Sequence, residues 1–384
     1  MHSKRADASA ALEDPKGAGD SVARVDLSSL ALIERDWRAL EQRAHSFSQC
    51  FDYARVALAI AEEKGKRSFL ITLRDNGTLS GVWGLTVETG WLHAILRPFS
   101  CGTNEEYGWP LLHDPTLADR AFRQAVKLAD KADCLMVYNV RAHSVIDAAV
   151  RALPFPRRVE PILGLAIPAA SYMNWADAEK RLKGAMRYGL RNRANRLAQQ
   201  GKVTIGWCQS LQDQEAAMAF LFARKAQWAL EKHKRSSWLG RPEVPEFFRR
   251  LVREIQRPLV AAVRLDGVPI AAAICLVGPR SLEYVITTFD PKYSTYSPGK
   301  LLIWFLAEWA IQRRLDFDFC FMVSDYKEEW PVERNEYVTV KVILTLRGRI
   351  PELREMIRFA RFTLSGMRRR VKAFATRRPA PKLQ

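Results

Sequence analysis

The sequence has no CxxC pair. Its six cysteines, at 50, 101, 134, 208, 275 and 320, stand alone, which excludes a thiolate metal site of ordinary spacing, and a chain of 384 residues needs no disulfide framework. They are expected to be reduced and buried in a cytoplasmic protein. No apolar run is long enough to span a bilayer. The longest, Val268 to Val277, contains Pro269 and is about half the required length. The first residues lack the apolar segment of a secretory signal, and residues 1–22 are expected to form a disordered tail. The Walker A and Rossmann glycine patterns are missing, so binding of a nucleoside triphosphate or NAD has no support. Histidine is scarce, with six in the chain and His233 alone in the second half, and no Ser-His-Asp or Cys-His arrangement stands out. No metal site is expected. Acids are few, with 42 Asp and Glu against 60 Lys and Arg, a formal charge of +18. That excess attracts polyanions (nucleic acid, anionic membrane or phosphate-bearing ligands) without choosing among them.

What is present is enough apolar material for two domains: 48% hydrophobic residues, with eleven Trp and eighteen Phe. Helical spacing runs over Leu27–Ala44 and Phe51–Lys64. Strands are predicted at Ser68–Leu73 and Leu79–Val87 around the turn Asp75-Asn76-Gly77, then at Trp91–Leu96. A helix at Leu117–Ala132 and a strand at Cys134–Asn139 follow. The second half repeats this grammar: strands Leu259–Leu265, Ile270–Val277 and Ser281–Thr288 with a turn at Asp266-Gly267, then helix Lys300–Arg313 and strand Phe317–Val323. A shift of 190 places Gly77 on Gly267, Arg74 on Arg264, Phe99 on Phe289 and Leu111-Leu112 on Leu301-Leu302, with no gap. Two α/β domains of similar fold are therefore expected, over 23–168 and 175–348, with Pro168-Ala169-Ala170-Ser171 as the linker.

Tyr296-Ser297-Pro298-Gly299-Lys300 lies between a strand and a helix. Ser297 suits a cap, Pro298 the first turn, and Gly299 admits a ligand close to the backbone. Free N–H groups and the helix dipole make such a start an anion site, to which Lys300 adds a charge. A pyrophosphate fits there; an ordinary helix cap fits equally. The first-half counterpart, Glu105-Glu106-Tyr107-Gly108-Trp109-Pro110, carries two acids and a bulky Trp, so the first domain is expected to lack a CoA site. From Lys180 to Lys202 eight Lys and Arg occur with no acid, including Arg187 and Arg191. Like charges at i,i+4 repel, so either a phosphate-bearing ligand offsets them or the face is solvated. Leu353–Phe374 is a basic amphipathic segment, suited either to packing on the body or to an anionic membrane surface.

Taken in order, the basic helix, Gln227-Trp228, Tyr296-Ser297-Pro298-Gly299-Lys300-Leu301-Leu302 and Phe317-Asp318-Phe319…Tyr326-Lys327-Glu328-Glu329-Trp330 resemble the BioF2-like/CelD-type acetyltransferase domain. This is a GNAT branch similar to the FemAB transferases, and the likeness is strongest over about 175–345. It implies two tandem GNAT-like domains, each a mixed twisted sheet flanked by helices. It implies acyl transfer from acetyl-CoA or another acyl-CoA to an amine or hydroxyl, in settings that include envelope and exopolysaccharide synthesis at the inner membrane surface. FemAB relatives use aminoacyl-tRNA instead; DNA is not an expected partner. Met322-Val323-Ser324-Asp325 lacks the Gly that relatives carry there, which leaves open a non-catalytic partner of a membrane synthase.

Transfer of this kind needs a held thioester, a donor to its carbonyl oxygen and a route for the acceptor's proton. Asp318, Asp325 and Glu283 are the candidate bases and Tyr326 the candidate acid for the thiolate. Ala272, within the small stretch of strand Ile270–Val277, is expected beside the pantetheine arm. Lys327 is expected either to meet phosphate or to pair with Glu329. Arg187, Arg191, Trp228 and Trp330 are candidates for contacting the acceptor or an anion.

Overall fold

The structure is a computed structural model that describes residues 19–90, 93–103, 106–231, 241–255, 257, 259–321 and 323–350. The basic segment Leu353–Phe374, with Trp91, Glu105, His233 and Met322, lies outside the described residues.

The first half runs β1 (Ser21–Arg24), α1 (Leu27–Ala31), α2 (Glu34–Leu40), α3 (Phe51–Glu63), β2 (Arg67–Asp75), β3 (Thr78–Thr89), β4 (Ala94–Pro98), β5 (Leu111–Leu112), α4 (Ala118–Val126), β6 (Cys134–Arg141), α5 (Val145–Arg151) and β7 (Arg157–Ile167). The second runs α6 (Trp175–Arg181), α7 (Gly184–Ala198), β8 (Val203–Trp207), α8 (Leu211–Glu231), α9 (Glu243–Glu254), β9 (Val260–Leu265), β10 (Val268–Val277), β11 (Ser281–Phe289), α10 (Pro298–Gln312), β12 (Asp316–Phe321), α11 (Asp325–Glu328) and β13 (Glu333–Ile343).

Local chemistry sets the twin hairpins. Asp75 pairs with Thr78 and Leu265 with Val268, leaving two-residue loops. Asn76, Gly77, Asp266 and Gly267 all have positive φ, which a right-twisted hairpin requires and these residues tolerate. Ser21 and Val22, expected in the tail, instead begin β1 and pair with Thr72 and Ile71. The basic stretch is two helices, not one. Extended backbone at Leu182 and Lys183 breaks it and buries Leu182. The repeat holds through the hairpins and then needs a gap: Leu111-Leu112 form a short strand on β3, whereas Leu301-Leu302 lie within α10.

All the strands join one mixed sheet, ordered β1-β2-β3-β4-β6-β13-β7-β12-β11-β10-β9-β8, with β5 beside β3. The halves exchange their last strands. β7 pairs with β12 of the second half, and β13 pairs with β6 of the first. The exchanged strands then pair with each other from Glu333/Ala166 to Val342/Arg157. Gly164 is needed at this crossing, since a Cβ there would lie 2.8 Å from the Tyr337 ring. On one face an apolar core is shared by both halves, where Phe51 and Tyr53 meet Met218, Phe247 and Phe248. Two further cores form, one around Trp83 and Phe122 that takes in Val338, Val340 and Val342 of β13, the other around α10 that takes in Leu165 and Ile167 of β7.

The exchange makes each half incomplete alone. Residues 169–350 expressed separately lose β7, leave an edge of β12 unpaired and expose the face of Val338, Val340 and Val342. We expect no cooperative thermal transition from this fragment by circular dichroism, and a stable complex when residues 19–168 are co-expressed. A fragment that melts sharply by itself contradicts the exchange.

Candidate functional site

β11 and β12 are parallel, yet they pair only at Ser281/Asp316, Leu282/Phe317 and Glu283/Asp318. β11 continues to Phe289 with its β12-facing edge unpaired among the described residues. β12 turns aside at Cys320, whose φ is +57°. The result is a wedge that opens from Tyr284. The cleft there has a volume of about 470 Å³ and is walled by Tyr284, Thr287 and Thr288 of β11, Arg224, Lys225 and Trp228 of α8, the start of α10, and Tyr326.

The start of α10 is an open donor. Ser297 adopts the left-handed conformation and makes no side-chain cap; its carbonyl instead accepts from the amides of Lys300 and Leu301. Pro298 has no N–H, and the Gly299 amide has no backbone partner among the described residues. One free N–H and the dipole of a 15-residue helix thus meet at the cleft. Arg224, Lys225 and Lys300 add positive charge, partly offset where Lys300 pairs with Glu329 and Arg224 lies 3.8 Å from Asp290.

In the first half the equivalent wedge is filled. β4 and β6 pair in parallel only at Ile95/Cys134 and Leu96/Leu135. The chain then inserts Tyr107-Gly108-Trp109, the Gly108 amide donating to the Tyr138 carbonyl at 3.1 Å and Asn139 Nδ2 to the Glu106 carbonyl at 2.8 Å. Both aromatic rings are buried, leaving no room for a ligand arm.

With this geometry in view, residues 184–328 match the sequence model of a family described as the acetyltransferase (GNAT) domain. This part of the second half is therefore similar to a GNAT acetyltransferase domain. No curated protein matches the chain. Among solved structures, the C-terminal DUF2156 domain of a protein named as a lysylphosphatidylglycerol synthetase from Agrobacterium fabrum is similar. It has 12% identity and a TM-score of 0.52 over 86% of this chain and 96% of that one. FemX is similar at 10% identity and a TM-score of 0.50, over 87% of this chain and 99% of that one. These likenesses span both halves and show the fold. The overall fold is thus the one shared with these structures, and residues 184–328 carry the match to the acetyltransferase (GNAT) domain.

Of the residues expected at its site, Ser297, Gly299, Lys300, Trp228 and Tyr326 meet in the cleft. Tyr296 lies at its margin beneath the Arg196 guanidinium, 5.7 Å from the ring centre, and Pro298 is buried. Other expectations are corrected. Ala272 is buried on β10, whose two edges are taken by β9 and β11, so no ligand can pair with that strand. Lys327 is 8% exposed and its ammonium donates to the carbonyls of Phe319 and Phe321 at 2.8 and 2.9 Å. It holds the turn of β12, and Lys300 takes Glu329. Trp330 is buried against Trp304, not on a ligand wall. Asp325 is exposed at the start of α11, outside the cleft. Arg187 and Arg191 lie on α7, Arg191 paired with Glu179, and neither lines the cleft.

Glu283 and Asp318, the last paired residues before the wedge, are 1% and 6% exposed. Both turn toward the first half, away from the cleft. Glu283 Oε1 accepts the Phe47 amide at 3.0 Å and the Ser281 hydroxyl at 3.3 Å. Asp318 accepts the Tyr107 hydroxyl and, at 2.7 Å, the Cys320 amide. Burial, and then the charge of the neighbouring Asp318, push Glu283 up to about 8. Burial also raises Asp318, to about 6, against the pull of Tyr107 and the Cys320 amide. Asp318 is therefore the carboxylate that ionises and Glu283 the one that keeps its proton. Sequence reading missed Arg224, Lys225, Thr287 and Thr288. The spacing of Arg224 and Trp228, four apart on one helix face, was the available signal.

The folded state holds the Glu283 proton between the ordinary carboxylate range and about pH 8, while the unfolded chain has lost it. The protein therefore binds more protons folded, and stability falls as pH rises through that window. Glu283→Gln is expected to flatten the fall between pH 5 and 8 and to raise stability at pH 8 by on the order of 1 kcal/mol or more. Urea titrations at both pH values check this, and an unchanged slope contradicts it.

Proposed function

We propose that the protein transfers an acyl group from a CoA thioester to an amine or hydroxyl, with the donor in the cleft between β11 and β12. The observation that carries this reading is the unpaired edge of β11 ending at a helix start with a free amide and three nearby cations. The pantetheine arm lies along Tyr284–Thr288 as an added strand, and the pyrophosphate meets the Gly299 amide, Lys300 and Arg224. The unpaired β11 amides polarise the thioester carbonyl. The acceptor's lone pair forms the new bond to carbon, the C–S bond breaks, and the thiolate takes the Tyr326 hydroxyl proton. The acceptor's proton leaves to solvent. Acetyl-CoA is the proposed donor, and the CelD-type resemblance supports an envelope or exopolysaccharide acceptor.

Titration calorimetry is expected to detect acetyl-CoA binding, weakened about tenfold by Arg224→Ala and abolished by Thr288→Trp, both with unchanged melting temperature. No binding by the folded wild type contradicts the reading. Tyr326→Phe is expected to lower kcat by roughly 10- to 100-fold with acetyl-CoA affinity kept; a change confined to KM removes Tyr326 from the chemistry.

A second reading uses aminoacyl-tRNA as donor, in line with the FemAB resemblance. It is favoured by α7 and the residue before it: Lys183 and Arg196 are exposed, and Arg196 stacks beside the loop on Tyr296. Retention of tRNA with a steep salt slope, lost in Arg187→Ala/Arg196→Ala, supports it. No retention at moderate salt excludes it.

A further inference from the structure

A second cavity, of about 200 Å³, lies at the junction of the halves. Three arginines from distant segments converge on it: Arg43 after α2, Arg141 at the end of β6, and Arg280 just before β11. Among the described residues no carboxylate lines the cavity and none of the three forms an ion pair. Arg141 has only a neutral partner, the Asn335 side-chain carbonyl at 3.1 Å. The wall between them is aromatic: His45 sits against Tyr107, with ring centres 4.6 Å apart, and against Trp109 at 5.5 Å. The same cationic surroundings, after burial, hold His45 down to about 4, with Arg280 and Arg141 the charges responsible. The imidazole is therefore neutral at neutral pH and adds a hydrogen-bonding group without adding charge.

The three arginines are exposed at the cavity, so water screens their mutual repulsion and their guanidiniums stay accessible to an anion from solvent. Planar forks of this kind match an oxyanion. The cavity is also tied to the transferase domain. Tyr107, which backs His45, donates its hydroxyl to Asp318 at the apex of the wedge. The Ser281 hydroxyl oxygen, next to Arg280, also lies 3.3 Å from the His45 carbonyl oxygen.

We propose that this cavity is an oxyanion subsite that holds a phosphate, sulfate or carboxylate group of the acyl acceptor, apart from the donor cleft, with which it shares no lining residue. The proposal rests on the acyl-transfer reading for its acceptor and deepens it by giving that acceptor a negative charge.

The test uses the full chain labelled with 13C-histidine, the His45 resonance being assigned with His45→Gln. Inorganic sulfate is the probe, because its charge is constant over the titration. Sulfate is expected to raise the His45 pKa in a saturable way. Arg141→Ala/Arg280→Ala is expected to weaken half-saturation at least tenfold while keeping acetyl-CoA affinity. Saturating acetyl-CoA leaves the sulfate response intact if the subsite belongs to the acceptor. A wild-type His45 that ignores sulfate, or a double variant that responds as wild type does, overturns the proposal. Displacement of sulfate by acetyl-CoA overturns the acceptor assignment, since the cavity then takes the donor's phosphates. Calorimetry on the same samples keeps the two readings apart: absent acetyl-CoA binding beside an intact sulfate response defeats the donor cleft and spares the anion site.

Discussion

The proposed donor site depends on where β11 and β12 stop pairing. The last in-register pair is Glu283/Asp318. Beyond it one parallel strand keeps an unsatisfied edge and the other bends away through a left-handed Cys320. An unpaired strand edge inside a protein is costly unless something covers it. Here that edge faces a cleft closed by the start of α10, and an extended, amide-rich ligand arm has the shape to complete it. Two carboxylates at the apex add a second cost. They cannot both ionise in a buried site, so one is held protonated beside the other.

The halves share that cost. The Phe47 amide and the Tyr107 hydroxyl, both from the first half, are the partners that satisfy Glu283 and Asp318. The exchanged strands β7 and β13 fix the distance across which these bonds reach. The first half thus has a clear physical part although its own wedge is filled by Tyr107 and Trp109. It braces the apex of the second half's wedge and supplies one side of the junction, where Arg43 and Arg141 meet Arg280.

Much of the architecture was legible in the sequence because it is local. Asn76-Gly77 and Asp266-Gly267 specify tight turns by their own torsional preferences, and the loop at Ser297-Pro298-Gly299 announces a helix start with a missing donor. An acid in an apolar strand singled out Glu283. What was not legible is non-local. Periodicity identifies β10 as a strand but does not say that both its edges are occupied, so Ala272 was assigned to a ligand it cannot reach. Charge does not reveal direction: Lys327 points inward to β12 carbonyls and Lys300 takes the expected partner Glu329. The strand exchange depends on pairings of residues some 170 apart, such as Glu333 with Ala166. Arg224 and Lys225 reach the cleft from α8 only through tertiary packing.

The central claim is that the splayed edge of β11 is a donor site. A crystal structure of the full chain with bound CoA tests it most directly. The account predicts a pyrophosphate oxygen within hydrogen-bonding distance of the Gly299 amide and the pantetheine amides paired with the backbone of Tyr284–Thr288. CoA bound elsewhere, with the β11 edge untouched and Gly299 free of phosphate, would contradict it.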